Sequence, residues 1–182
     1  MCSIRVRLAS GLVQGAQQES PLLEQPAVIE RFKLMARHDL IATVETTGDQ
    51  LAVVTRLARE LPDLKIVLDQ FGWPTELGED GRRIHLDRLA ELAALPNVAT
   101  RLDALGAIFG AWTTNQVRPW LLAVVALFGP DRCMLGSDLP IERLRSGFGP
   151  LYRAYDEIFA EHTLHDREML LRGTAERWYG AA

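Results

Sequence analysis

The 182-residue sequence predicts an α/β fold built on a parallel sheet, in a single domain over residues 1–182. Three observations lead there. Short apolar runs of strand type alternate five times with stretches of helical period, as parallel strands joined by crossover helices require. No linker, repeat or low-complexity tract divides the chain. Polar residues stand at the end of each strand-like run, where parallel α/β folds collect their functional groups.

The elements follow in order. Ile4 to Leu8 alternates apolar side chains with Arg5 and Arg7, the pattern of a strand with one charged face. A stretch rich in Gly, Gln and Ser runs to Ser20. Pro26 opens a helix with Val28, Phe32, Met35 and Ala36 at helical spacing. Leu40 to Glu45 is a second strand. Asp49 is placed to cap a helix carrying Leu51, Val54, Leu57 and Leu61 on one face. Leu64 to Leu68 is the third strand, His85 to Leu95 a helix, and Val98 to Leu102 the fourth strand. Asn115 to Phe128 is a long apolar helix with Arg118, Pro119 and Trp120 near its start. Cys133 to Leu135 is the last strand. Leu151 to Phe159 is a helix, and Arg167 to Tyr179 a helical tail interrupted near Gly173 and Thr174.

Composition removes several classes of function. A net charge of −4 with no basic stripe argues against nucleic acid as partner. Lys33 and Lys65 are the only lysines, so nearly all positive charge is arginine; carboxylate recognition and base composition both account for that. The longest apolar run, Trp120 to Phe128, is too short to span a bilayer. Cys2 and Cys133 form no C-x-x-C pair, and the amino terminus lacks the pattern of a signal peptide. A soluble, reduced, cytoplasmic protein is expected.

Two stretches are more specific. VLDQFGWP, residues 67–74, is an apolar run that stops abruptly in Asp69 and Gln70. FGPDRCMLGSDLPIERL runs from Phe128 to Leu144. Together they resemble the amidohydrolase-related family, the lactonase and decarboxylase branch of the metal-dependent (β/α)8 hydrolases. The sixth strand of that family ends in an Asp-His-x-Gly-x-Pro-like segment, and the eighth reads Phe-Gly-x-x-Arg, then Gly-Ser-Asp-x-Pro. SIRVRLA, NVATRLDALG and LLRGTAERWYG resemble the family's fourth strand, seventh strand and closing helix. The resemblance implies that the five strands are the fourth to eighth of a (β/α)8 TIM barrel, incomplete because a full barrel takes about 250 residues.

It also implies a site. Asp138 matches the aspartate that acts as base on water or as metal ligand. Gln70 stands at the position of the sixth-strand histidine; a carboxamide is no general base and a poor zinc ligand, but it hydrogen-bonds a carbonyl. Arg5 matches an arginine that binds a substrate carboxylate, a task suited to the guanidinium fork, and reads equally as a strand arginine facing water. Asp103 either orients the substrate carbonyl together with Gln70, as a second carboxylate in the cavity of Asp138 that raises the proton affinity of one of them, or is a turn residue. Trp73 either stacks on a substrate ring or packs under its loop. Asp69 reads as an anchor for the loop, on the other side of the strand from Gln70.

The family's His-x-His pair does not occur in this chain. Its histidines are His38, His85, His162 and His165, and no metal-ligand set is read from them. Zinc is implied by the family alone. The sequence is therefore compatible with two functions. One is a hydrolase that opens a lactone, or a similar cyclic ester or amide, with water activated by Asp138. The other is a truncated, non-catalytic barrel remnant that binds a ligand or a partner chain. An open edge and an inner face lined by Ile66, Leu68 and Leu102 lead to the expectation of self-association through that side.

Overall fold

The computed structural model describes residues 3–7 and 25–180. Five strands form one parallel sheet in sequential order: β1 (Ser3–Arg7), β2 (Ile41–Glu45), β3 (Lys65–Leu68), β4 (Val98–Leu102) and β5 (Cys133–Leu135). Between them lie α1 (Pro26–Arg37), α2 (Leu51–Glu60), α3 (Glu79–Ala93), α4 (Leu105–Phe109) and α5 (Thr114–Phe128). After β5 come α6 (Phe148–Ile158), α7 (Leu164–Glu168) and α8 (Thr174–Tyr179). Leu8 and the segment to Ser20 lie outside the described residues. No helix among the described residues is long and apolar enough to cross a membrane.

The two faces of the sheet differ in kind. Ala42, Val44, Ile66, Leu68, Val98, Leu102 and Cys133 point toward the helices and are buried with Phe32, Val54, Leu89, Leu121 and Phe128 in one large core. Ile41, Val67, Ala99 and Met134 point the other way and form a small cluster under Trp178 of α8. This corrects the expectation for the inner face. Ile66, Leu68 and Leu102 are fully buried against helices, so they leave no bare apolar surface and give no drive for self-association. A strand that is apolar on both sides shows no period of two, and its two faces cannot be told apart from composition.

Several boundaries move for identifiable reasons. Thr47, not Asp49, caps the turn into α2: Thr47 and Gln50 form a reciprocal capping box ahead of it. Helix α3 starts at Glu79, which places His85 inside the helix, buried, instead of at its start. Helix α5 starts at Thr114, with Thr113 accepting from the Gln116 N–H, so Pro119 lies in its second turn. The carboxyl-terminal tail does not break at Gly173; a wide π-type turn over Met169–Gly173 joins α7 to α8. Thr174 is buried there and donates to the Pro130 carbonyl at 2.8 Å.

Arg132, within the Phe-Gly-x-x-Arg stretch, has a structural task. Its guanidinium donates to the carbonyls of Ala93 at 2.8 Å, Leu95 at 2.9 Å and Phe128 at 3.0 Å. Those carbonyls sit at or just beyond the carboxyl ends of α3 and α5, where helices leave acceptors unpaired.

Candidate functional site

At the carboxyl end of β3 the chain turns through four consecutive residues of positive φ: Gln70 (51°), Phe71 (38°), Gly72 (75°) and Trp73 (34°). Only Gly72 adopts that conformation without steric cost; for the others it costs roughly 1–2 kcal/mol each. Such strain persists only where the surroundings impose it. Here the Trp73 N–H donates to the Gln70 carbonyl, and the Trp73 carbonyl accepts from the Gly48 N–H, both at 3.0 Å. His85 Nε2 lies 2.9 Å from the Phe71 carbonyl, and the Phe71 ring packs with those of His85 and Trp120. Burial pushes the His85 pKa down, so a neutral imidazole donates this bond. A Cβ on Gly48 would come within 2.7 Å of His85 Nδ1, so glycine is required for the two loops to meet. Arg88 completes the clamp by donating to the Gly48 carbonyl at 2.9 Å. Trp73, half-buried, thus enters the site region through its backbone.

Asp69 lies at the centre of a charged cluster. It is fully buried, and its two oxygens face Arg5 Nη2 at 3.0 Å and Arg101 Nε at 3.1 Å. Arg101 also binds Asp103 through Nη2 at 2.7 Å and Nε at 3.0 Å. Four side chains from three strands and the loops that follow them therefore form the chain Arg5–Asp69–Arg101–Asp103. Asp69 is more than the loop anchor read from the sequence. Burial pushes its pKa up to about 6, against the pull of Arg101 and Arg5. Burial also raises that of Asp103, opposed by Arg101. Gln70, next to Asp69, is nearly buried, and its Oε1 has no hydrogen-bond partner among the described atoms.

Asp138 stands three residues beyond β5 with φ of 51° and is half-buried. Burial first, then the negative charge of Asp103, raise its pKa; Arg101 and Arg5 oppose them. Gly136 makes this neighbourhood possible, because a Cβ there would meet the Asp103 Cβ at 3.0 Å. The Tyr155 hydroxyl lies 2.9 Å from the Leu102 carbonyl and 2.8 Å from the Gly136 carbonyl, joining the ends of β4 and β5. Among the described residues, no three His, Cys, Asp or Glu side chains group to hold a metal ion.

The structure thus gathers Arg5, Asp103 and Asp138 around one charged network and sets Gln70 and Trp73 in the adjoining turn. Asp69 and Arg101 as cluster members, and His85 and Glu142 as supports, were not singled out from the sequence. For the first two a signal existed: Arg5, Asp69, Arg101 and Asp103 occupy positions of one parity in neighbouring strands, given the pairings Arg5 with Thr43, Thr43 with Val67 and Val67 with Ala99. For His85, and for Glu142 in the loop after β5, which bind groups of other elements, none existed.

Comparison with known proteins agrees with this architecture. The family model described as Amidohydrolase matches residues 7–181. An L-fucono-1,5-lactonase of Burkholderia ambifaria is 32% identical over 134 residues, which are 70% of this chain and 44% of the relative. The uncharacterized protein y4mH of Sinorhizobium fredii is 28% identical over 161 residues, 88% of this chain and 54% of that protein. The chain therefore spans about half the length of these relatives. Among solved structures, an amidohydrolase from Burkholderia multivorans with bound zinc superposes with a TM-score of 0.88 at 23% identity, covering 100% of this chain and 65% of that one. A putative 2-pyrone-4,6-dicarboxylic acid hydrolase from Pseudomonas putida gives 0.72 at 22% identity, covering 98% and 63%. The five parallel strands and their helices are part of a (β/α)8 barrel, and the chain belongs to the amidohydrolase family.

Proposed function

We propose that this chain carries the Asp138 side of a hydrolase site for a lactone or a similar cyclic ester, with Asp138 as the base that activates water. The observation that carries the reading is Asp138 itself: a half-buried carboxylate beyond the end of a barrel strand, its proton affinity raised by burial and by Asp103. A carboxylate so raised is a better proton acceptor near neutral pH than an ordinary one. The lactonase names of relatives about a third identical to this chain support the class of substrate.

In this reading Asp138 takes a proton from water as the water oxygen attacks the lactone carbonyl carbon. The tetrahedral oxyanion collapses, the ring C–O bond breaks, and the departing alkoxide recovers the proton from Asp138, giving a hydroxy acid. Gln70 offers its amide to the substrate carbonyl. Arg5, half-exposed and held on one side by Asp69, presents its remaining N–H groups to a substrate carboxylate or hydroxyl. Asp103 is too deeply buried to touch substrate, and its part is to raise the proton affinity of Asp138. Trp73 acts through its backbone, which holds the turn that carries Gln70.

The donor set here does not fit the zinc of the solved relative. Gln70, a poor zinc ligand, stands where the family resemblance implies an imidazole, and the inward carboxylates Asp69 and Asp103 are both occupied by guanidinium groups. No step is therefore routed through a metal. The same substitution favours a second reading, a barrel fragment that binds a ligand without turning it over.

A pH-stat assay on L-fucono-1,5-lactone and simpler lactones, with wild type and Asp138→Asn, separates the two. Hydrolysis that falls by about 10²- to 10⁴-fold in the variant is expected. Thermal protection by the lactone without turnover would establish the binding reading instead.

A further inference from the structure

We infer that Glu142 is a positioning residue for Asp138: a buried carboxylate that ties the loop beginning at Asp138 to the loop beginning at Asp103. The inference rests on the reading of Asp138 as the base.

Glu142 is 1% exposed, in a surface loop rich in exposed side chains. A carboxylate so placed is tolerated only when its oxygens are met by donors. They are. Oε2 accepts from the Gly106 N–H of α4 at 2.7 Å. Oε1 accepts from the Trp112 indole N–H at 3.0 Å and from the Ser146 hydroxyl at 2.5 Å. Gly106 and Trp112 belong to the segment after β4, Ser146 to the segment after β5. A Cβ on Gly106 would lie 2.8 Å from Glu142 Oε2 and 2.6 Å from the Arg145 Cβ, so the close approach of the two segments is built into the sequence.

The backbone of Glu142 makes the other half of the link. Its N–H donates to the Asp138 carbonyl at 3.1 Å, and its carbonyl accepts from Arg145 and Ser146 at 2.9 and 3.0 Å. The left-handed conformation at Asp138 thus has an anchor one turn downstream. Asp103 and Asp138 root the two segments that Glu142 joins, so the separation of the two carboxylates depends on it. The charged groups that act on Asp138 are Asp103 and Arg101 from β4 and its loop, Arg5 from β1, and Glu142 from its own loop. Removal of the Glu142 charge takes away one negative neighbour and loosens the approach of a second.

Aspartate-selective 13C labelling, with the Asp138 signal assigned through Asp138→Asn, follows the titration of Asp138 in wild type, Glu142→Gln and Trp112→Phe. In Glu142→Gln the midpoint is expected to fall by about half a pH unit or more. kcat for a hydrolysed lactone is expected to fall about 10- to 100-fold with KM within about twofold. A midpoint unchanged from wild type, with only the melting temperature lowered, would show a structural tether and overturn the inference. If no variant and no wild type turns over a lactone, the hydrolase reading fails, while a midpoint displaced in Trp112→Phe, which leaves the Glu142 charge in place, still upholds the positioning role. If Glu142→Gln does not fold, Trp112→Phe decides, because it removes one donor and keeps an aromatic side chain there. A displaced Asp138 midpoint in that variant supports the inference, and an unmoved one overturns it.

Discussion

The two faces of the sheet are built by different rules. Toward the helices, β2 to β5 present Val44, Ile66, Leu68, Val98, Leu102 and Cys133 to a continuous apolar core. Away from them, the same strands and the loops at their carboxyl ends carry Asp69, Arg101 and Asp103, with Arg5 beside them on β1. A core of the first kind tolerates exchange among side chains of similar volume. A cluster of the second kind does not, because each buried charge depends on a particular partner. The helix-facing side makes a barrel segment; the inward side makes this one.

The largest test of that contrast lies on the helix-facing side. Leu68→Ala should cost about 2–5 kcal/mol of stability, measured by denaturant unfolding, because the site is completely buried. The loss should be the same at pH 4 and pH 7. A loss that changes with pH would mean that the two faces are coupled and the contrast is too sharply drawn.

The inward side should show the opposite behaviour. Asp69 binds its proton more tightly in the folded chain, at about 6, than at its ordinary value of 3.8. The folded state is thus favoured by protonation, and stability should fall as pH rises from about 4 to about 6, then level off. The interval corresponds to about 3 kcal/mol. Asp69→Asn should flatten that part of the curve, and equal slopes in the two proteins would refute the assignment. The smallest effect sharpens the picture within the cluster. Arg5→Ala removes a half-exposed guanidinium while the buried Asp69 keeps Arg101 as its partner, so the cost should stay near about 1 kcal/mol in thermal unfolding. A larger loss would make Arg5 part of the fold and not a group available to substrate.

Much of this architecture was legible in the sequence. Five strands and their parallel order follow from alternation, and the places of Gln70 and Asp138 just beyond β3 and β5 from the motifs around them. The inside and outside of the strands were exchanged, because KIVL in β3 is apolar at nearly every position and hides its period. The polar residues just beyond the strands, Asp69 and Asp103, mark the inward parity that the apolar ones conceal. By residue type Asp49 is as good a cap as Thr47, and only the Gln50 reciprocity decides between them. His85 and Glu142 act across elements, through one carbonyl and two donors that no local pattern announces.

Arg132 shows how far a family signature can be taken as a sign of activity. Its guanidinium is consumed by main-chain oxygens at the foot of the molecule, at the opposite end of the strands from Asp138. A copy of this chain that had lost its chemistry would still need that arginine to close its helix ends, for folding alone. The Phe-Gly-x-x-Arg half of the motif therefore identifies kinship and is silent about turnover. A survey that sorts living enzymes from silent descendants among such sequences has to weigh the Gly-Ser-Asp half, and the partners of its aspartate, separately.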